Sequence, residues 1–194
     1  MNQKEITKYS KLNELSKPDG TVIFGGNDDQ TIPLCELKQA FSLDFELYNR
    51  SFRNLSIKNS IAYYDTCIAS LVPETILLHI GENDLETFTK NSADFDQKYR
   101  NLISHIKSQA PKCRIAIISQ KNPENDAVIA KMNQHLKYIA DSEQCEFGDI
   151  SNKRVWNPKE TMDVISFVYS MGFVRPLKNR RPIYDLVKIL FCFE

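Results

Sequence analysis

Three short runs of almost wholly apolar residues, each set off by a turn signal from a stretch of helical periodicity, decide most of what this chain can become. Thr21-Val-Ile-Phe24 ends at Gly25-Gly26. Glu74-Thr-Ile-Leu-Leu-His-Ile80 ends at Gly81. Arg114-Ile-Ala-Ile-Ile118 follows Pro111. A strand that faces water on one side alternates apolar with polar residues, so runs without that alternation are strands covered on both faces. Phe45-Glu-Leu-Tyr48 and Cys145-Glu-Phe-Gly-Asp-Ile150 read as two shorter strands. Between and after them, helical spacing is carried over residues 34–42, 58–71, 93–109, 124–142 and about 183–193, as in Phe95, Tyr99, Leu102, Ile103 and Ile106. Strands alternating with helices long enough to cross over them give an α/β domain with a parallel sheet and helices on both faces. Ligands of such folds bind beyond the carboxyl ends of the strands. The chemistry is therefore expected near residues 25–29, 49–54, 81–85 and 120–124.

Composition narrows the class of function. The chain has 194 residues, 42% hydrophobic and 26% charged, which is one folded domain with room for a sizeable core. Lys+Arg and Asp+Glu are both 25, and a balanced charge argues against a nucleic-acid binder or a polybasic membrane binder. No apolar stretch approaches the roughly 20 residues of a membrane helix. The N-terminal sequence lacks the apolar core of a secretory signal, so a cytoplasmic location is expected. The five cysteines are odd in number, widely spread and without C-x-x-C spacing. They predict buried, reduced thiols rather than a zinc site or a redox dithiol. Residues 2–16 carry Ile6, Tyr9, Leu12 and Leu15 on one helical stripe, before the turn Lys17-Pro18-Asp19-Gly20. We divide the chain into a helical extension over residues 1–19 and one α/β domain over 20–194, with an irregular segment at 151–182. The stripe packs either on its own domain or on a second copy, which leaves a homo-oligomer open.

The strand ends hold the candidate chemistry. Gly26-Asn27-Asp28-Asp29 follows the first strand, Tyr48-Asn-Arg-Ser51-Phe-Arg53-Asn54 closes the second, and Gly81-Glu82-Asn83-Asp84 follows the third. The glycines permit a tight turn and close backbone approach. Asp28 or Asp29 also suits a helix N-cap, and Asn83 can aim an amide donor at developing negative charge. Asp28, Asp29, Glu82 and Asp84 offer oxygen ligands for a hard cation, but helix N-termini favour carboxylates without any metal. No metal and no cofactor are assigned. The run Arg175-Pro-Leu-Lys178-Asn-Arg180-Arg181-Pro182 can clamp an anion or simply be solvated. Trp156, Phe167, Tyr169 and Phe173 can wall a pocket or hold their own segment down.

Taken together the three blocks resemble the SGNH (GDSL) hydrolase family. Gly81-Glu82-Asn83-Asp84 matches that family's Gly-x-Asn-Asp block in full. Tyr48-Asn-Arg-Ser51 resembles the second block with serine in place of glycine, and Gly26-Asn27-Asp28 aligns with the Gly-Asp-Ser block with Asp28 in the nucleophile's place. The resemblance implies a three-layer α/β/α, flavodoxin-like domain with a five-stranded parallel sheet. It implies that Asp28, Ser51 and Asn83 stand at a degenerate catalytic site, and that Gly26, Asn27, Asp29, Arg53, Gly81, Asp84 and Asp163 line a ligand site. In the family a serine attacks an ester carbonyl, a histidine takes its proton, and backbone N–H groups with the asparagine amide hold the oxyanion. Here Asp28 has no hydroxyl. Only His79, His105 and His135 exist, and all three are expected to serve packing or surface roles. In the family's Asp-x-x-His block, Asp163 aligns with the aspartate and Ser166 with the histidine, and serine is no base near neutral pH.

The expected function is therefore a catalytically impaired, pseudoenzyme-like protein that binds a small acylated or glycosylated ligand. Two alternatives stand beside it. One is a working esterase or acylhydrolase in which Asp28 is nucleophile or base, with Asn83 and the amide of Ser51 as oxyanion donors. The other is a protein-interaction module docking through its N-terminal helix or residues 151–182.

Overall fold

The computed structural model describes residues 3–122, 124, 126–151 and 183–191. The expectations placed on Asp163, Ser166, the Arg175–Pro182 run and the aromatics from Trp156 to Phe173 lie outside the described residues. In chain order the elements are α1 (Gln3–Asn13), β1 (Thr21–Gly25), α2 (Leu34–Ala40), β2 (Leu47–Asn49), α3 (Ser60–Cys67), β3 (Thr75–His79), α4 (Leu85–Lys90), α5 (Ser92–Gln109), β4 (Arg114–Ile118), α6 (Ala127–Ser142), β5 (Glu146–Gly148) and α7 (Ile183–Phe191). Single 3-10 turns follow β1 (Asp28–Thr31), α3 (Ala69–Leu71) and β3 (Glu82–Asp84). The five strands form one parallel sheet in the order β2-β1-β3-β4-β5.

The period-two direction of strand side chains divides the core. Val22, Phe24, Ile76, Leu78, Ile115 and Ile117 pack on one face with Tyr64 of α3, Phe88 of α4, Phe95 and Tyr99 of α5 and Met132 and Leu136 of α6. Ile23, Leu77, Ala116 and Ile118 pack on the other with Leu37 of α2 and Leu186, Val187, Leu190 and Phe191 of α7. That two-sided burial accounts for the lack of alternation in β1, β3 and β4. Ile6 and Tyr9 of α1 belong to the first core, while Leu12 and Leu15 remain exposed. The long helices begin where side chains can take up their free N–H groups. Asn91 Oδ1 accepts from the backbone of Asp94 at α5, and Asp126 Oδ1 accepts from Val128 and Ile129 at α6.

Three local expectations differ from the structure. Residues 58–71 form α3 and a separate 3-10 turn, divided at Ile68, whose backbone leaves the helical region. Residues 85–90 form a short helix that periodicity misses, because Phe88 is its only buried residue. Among the described cysteines, Cys67 is buried as expected but Cys35 is exposed. None of the described helices is long and apolar enough to cross a membrane.

Candidate functional site

The register of β1 and β3 places Gly25 beside His79 at the carboxyl edge of the sheet. A Cβ on Gly25 would lie 1.7 Å from Asp29 Oδ2, so the Asp29 carboxylate holds its place only because residue 25 has no side chain. The missing methyl lets the chain fold back through the 3-10 turn so that Asp29 returns to the strand end. Its Oδ2 accepts from the backbone N–H of Gly26 at 3.1 Å. His79 Nδ1 lies 2.9 Å from both carboxylate oxygens of Asp29. Both side chains are buried, at 6% and 3% exposure. A ring nitrogen held between two carboxylate oxygens carries its proton there, which makes Nε2 of the neutral ring an acceptor. Nε2 is buried and has no hydrogen-bond partner among the described residues. The ring stacks edge-on against Phe191 of α7, with centroids 5.4 Å apart.

A small crevice of about 130 Å³ opens beside this pair, lined by Asp28, His79, Glu82, Leu85, Gln120, Lys121 and Ile129. Gln120 leaves the end of β4 with its backbone pinned at both ends. Its N–H donates to Asn133 Oδ1 at 2.7 Å and its carbonyl accepts from Asn133 Nδ2 at 2.8 Å. Its side-chain amide lies over Gly81, where an added Cβ would come within 3.2 Å of Cδ and Nε2. Gly81 has φ +148°, a conformation suited to glycine. Gln120 Nε2 is buried and, like His79 Nε2, unpartnered. Lys121 Nζ donates to Asp28 Oδ2 at 2.9 Å. Glu82 joins the first and third loops, its Oε2 accepting from the backbone of Asn27 and its Oε1 from Asn27 Nδ2. Asn27 Oδ1 in turn accepts from the N–H of Asn54.

The residues singled out from the sequence are thus brought to one rim, but they do not converge on one point. Asp28 is in the crevice, with its side chain 57% exposed and ion-paired. Ser51 is sealed from solvent. Its N–H donates to Asn49 Oδ1 and its carbonyl accepts from Tyr9 and Gln30. Asn83 donates its amide to the Leu55 carbonyl. Asp84 turns away and accepts from the N–H of Ile57, and burial pushes its carboxyl up to about 6 against the opposing effects of that bond and Lys98. Arg53 is exposed and its backbone N–H meets Glu5. Among the described residues no three His, Cys, Asp or Glu side chains are grouped to hold a metal ion. His105 and His135 pair with Asp65 and Asp96 on helices.

His79, Gln120 and Lys121 are the residues the sequence reading missed at this site. The sequence points to packing for His79, because its pairing with Asp29 depends on a fold-back that no local spacing reports. The position of Gln120 and Lys121 just past β4 was the one available signal.

No protein-family model matches the chain, and no curated protein matches it in sequence. Solved structures do resemble it. A candidate platelet activating factor from Streptococcus pneumonia superposes with TM-score 0.67 at 18% identity, over 88% of this chain and 92% of its own. A candidate acylhydrolase from Bacteroides fragilis gives 0.60 at 17%, over 89% and 97%. A GDSL-like lipase from Bacteroides thetaiotaomicron gives 0.57 at 15%, over 87% and 96%. The chain therefore has the SGNH-hydrolase-like α/β/α fold.

Proposed function

We propose that this protein binds a small polar ligand, acylated or glycosylated, in the crevice at the carboxyl edge of its sheet, and that it does so without serine-based ester hydrolysis. One observation carries the reading: among the described residues, the crevice lining contains no hydroxyl or thiol. The residue aligned with the family's nucleophile is a carboxylate already bound to Lys121. Covalent acyl transfer needs an activated nucleophile within hydrogen-bond reach of its base, and His79 Nε2 has no such partner. The oxyanion donors named from the resemblance are engaged elsewhere, Ser51 N–H with Asn49 and Asn83 with Leu55. A polar crevice with unspent donors and acceptors can still hold a ligand.

The reading is tested with p-nitrophenyl acetate and butyrate, and with a serine-directed fluorophosphonate. No turnover above the uncatalysed rate and no covalent labelling are expected. Turnover lost in Asp28→Asn would overturn the proposal in favour of an Asp28-dependent hydrolase. Labelling of Ser51 would overturn it in favour of a serine enzyme.

A further inference from the structure

Two side chains in the crevice are buried to more than nine-tenths, His79 at 6% and Gln120 at 5% exposure. Each ends in a nitrogen without a partner among the described residues. Buried polar atoms are nearly always satisfied, and each exception calls for an explanation. Here the two residues that carry such atoms line the same small cavity, and the atoms are of opposite kind. With Nδ1–H directed at Asp29, His79 Nε2 accepts, while Gln120 Nε2 donates. The imidazole is fixed by side-chain contacts, and the amide is carried on a fixed backbone. The imidazole is held by Asp29 and Phe191, and Gln120 is clamped through its backbone by Asn133.

Charge limits what can meet this pair. Among the described residues, Asp28, Asp29 and Glu82 bring three carboxylates to the rim and its wall, against the one ammonium of Lys121. Even a protonated His79 leaves that set of groups negative. An anionic ligand is therefore opposed, and a neutral one carrying a hydroxyl donor next to an oxygen acceptor is favoured. The cavity of about 130 Å³ equals the share of roughly four liquid waters, enough for one end of such a molecule and not for a bulky group.

We propose that His79 and Gln120 are a ligand-reading pair that grips a neutral 1,2-diol, one hydroxyl donating to His79 Nε2 and the neighbouring oxygen accepting from Gln120 Nε2–H. This rests on the reading of the crevice as a ligand site, and supplies the ligand's chemistry.

The test is a titration of protein labelled with ¹⁵N, followed by NMR, using glycerol as the diol, glycolate as its anionic counterpart and 1-propanol as the control. Glycerol is expected to move the His79 Nε2 signal toward the hydrogen-bonded position, and to move the Gln120 side-chain amide with the same saturation curve. Glycolate is expected to saturate later, and 1-propanol to leave His79 unchanged. Gln120→Leu, at a residue whose side chain is not needed to hold Asp29 and His79 together, should weaken glycerol binding about tenfold, one hydrogen bond's worth. Shifts confined to the backbone of Glu82 and Lys121 would overturn the pair and leave the ligand site standing. Tighter binding of glycolate than of glycerol would overturn the charge argument. A His79 Nε2 already hydrogen-bonded in the free protein and indifferent to glycerol would mean an ordered water only, and would also overturn it. The ligand-site reading fails separately, if none of the three compounds moves any crevice signal.

Discussion

Asp84 shows how a motif residue can serve structure instead of chemistry. It is buried at 2% exposure, bonded to Ile57 N–H, and burial raises its carboxyl from 3.8 to about 6. Because the folded value lies above the unfolded one, the fold favours the protonated acid. That contribution is complete below about pH 3.8, declines as the pH rises through about 6, and is gone above it. Its full size is about 3 kcal/mol. Asp84→Asn keeps an acceptor for Ile57 and cannot ionise. Measured by urea midpoint, its stability relative to the parent should rise between pH 4 and 7, and at pH 7.5 should equal or exceed it. A second residue-scale expectation concerns Gly25. Gly25→Ala puts a methyl into the Asp29 carboxylate, so Asp29 must leave His79. A loss of about 2 kcal/mol or more is expected from one overpacked site with a broken buried bond, together with a changed tautomer of His79 by ¹⁵N NMR.

At the scale of elements, α1 is tied to the domain by more than its apolar stripe. Arg50 is buried at 4% exposure. Its guanidinium lies over the rings of Tyr9 and Tyr48, and its Nε and Nη2 both donate to Asn13 Oδ1 at the end of α1. The amide of Asn13 donates in turn to the Cys67 carbonyl and Ser70 Oγ, and Tyr9 donates to the Ser51 carbonyl. Asn13→Ala removes the acceptor of two of a buried cation's donors, leaving Nη1 on the Asn49 carbonyl, and should cost about 2–3 kcal/mol. Faster hydrogen exchange throughout Gln3–Asn13, with β3 unchanged until global unfolding, would show that α1 detaches first. Leu12 and Leu15 extend the periodic stripe but stay in solvent, because the packed part of α1 ends with Tyr9 and the Asn13 contacts. Periodicity reports which face is apolar, and not how far along it a neighbour reaches.

For the whole molecule, the two cores on either side of the sheet leave the described thiols with unequal fates. Cys67 is buried and burial raises its thiol to about 11. Cys113 is raised for the same reason to about 12. Thiolate, the reactive form, is scarce at both. A thiol reagent at pH 7.5 should modify the exposed Cys35 quickly, and reach Cys67 only at the rate of global opening. Rapid modification of Cys67 in native buffer would mean that the α1–α3 side of the domain opens on its own.

The sequence by itself determined the layers: uninterrupted apolar runs need cover on both faces, and short parallel strands need helical crossovers. It also located the rim, since Gly26, Asn27, Asp28 and the Gly81–Asp84 block stand at strand ends by chain order alone. Only the tertiary structure decided which groups act together there. His79 and Asp29 are 50 residues apart, and meet because β1 and β3 are neighbours and Gly25 has no side chain. Gln120 joins them because β4 is next in the sheet. Asp28, Ser51 and Asn83 were equally legible as motif residues, yet Lys121, Asn49 and Leu55 hold them. Hydrogen-bond partners are chosen by distance in space, and the one-dimensional pattern carries burial and period but not that distance.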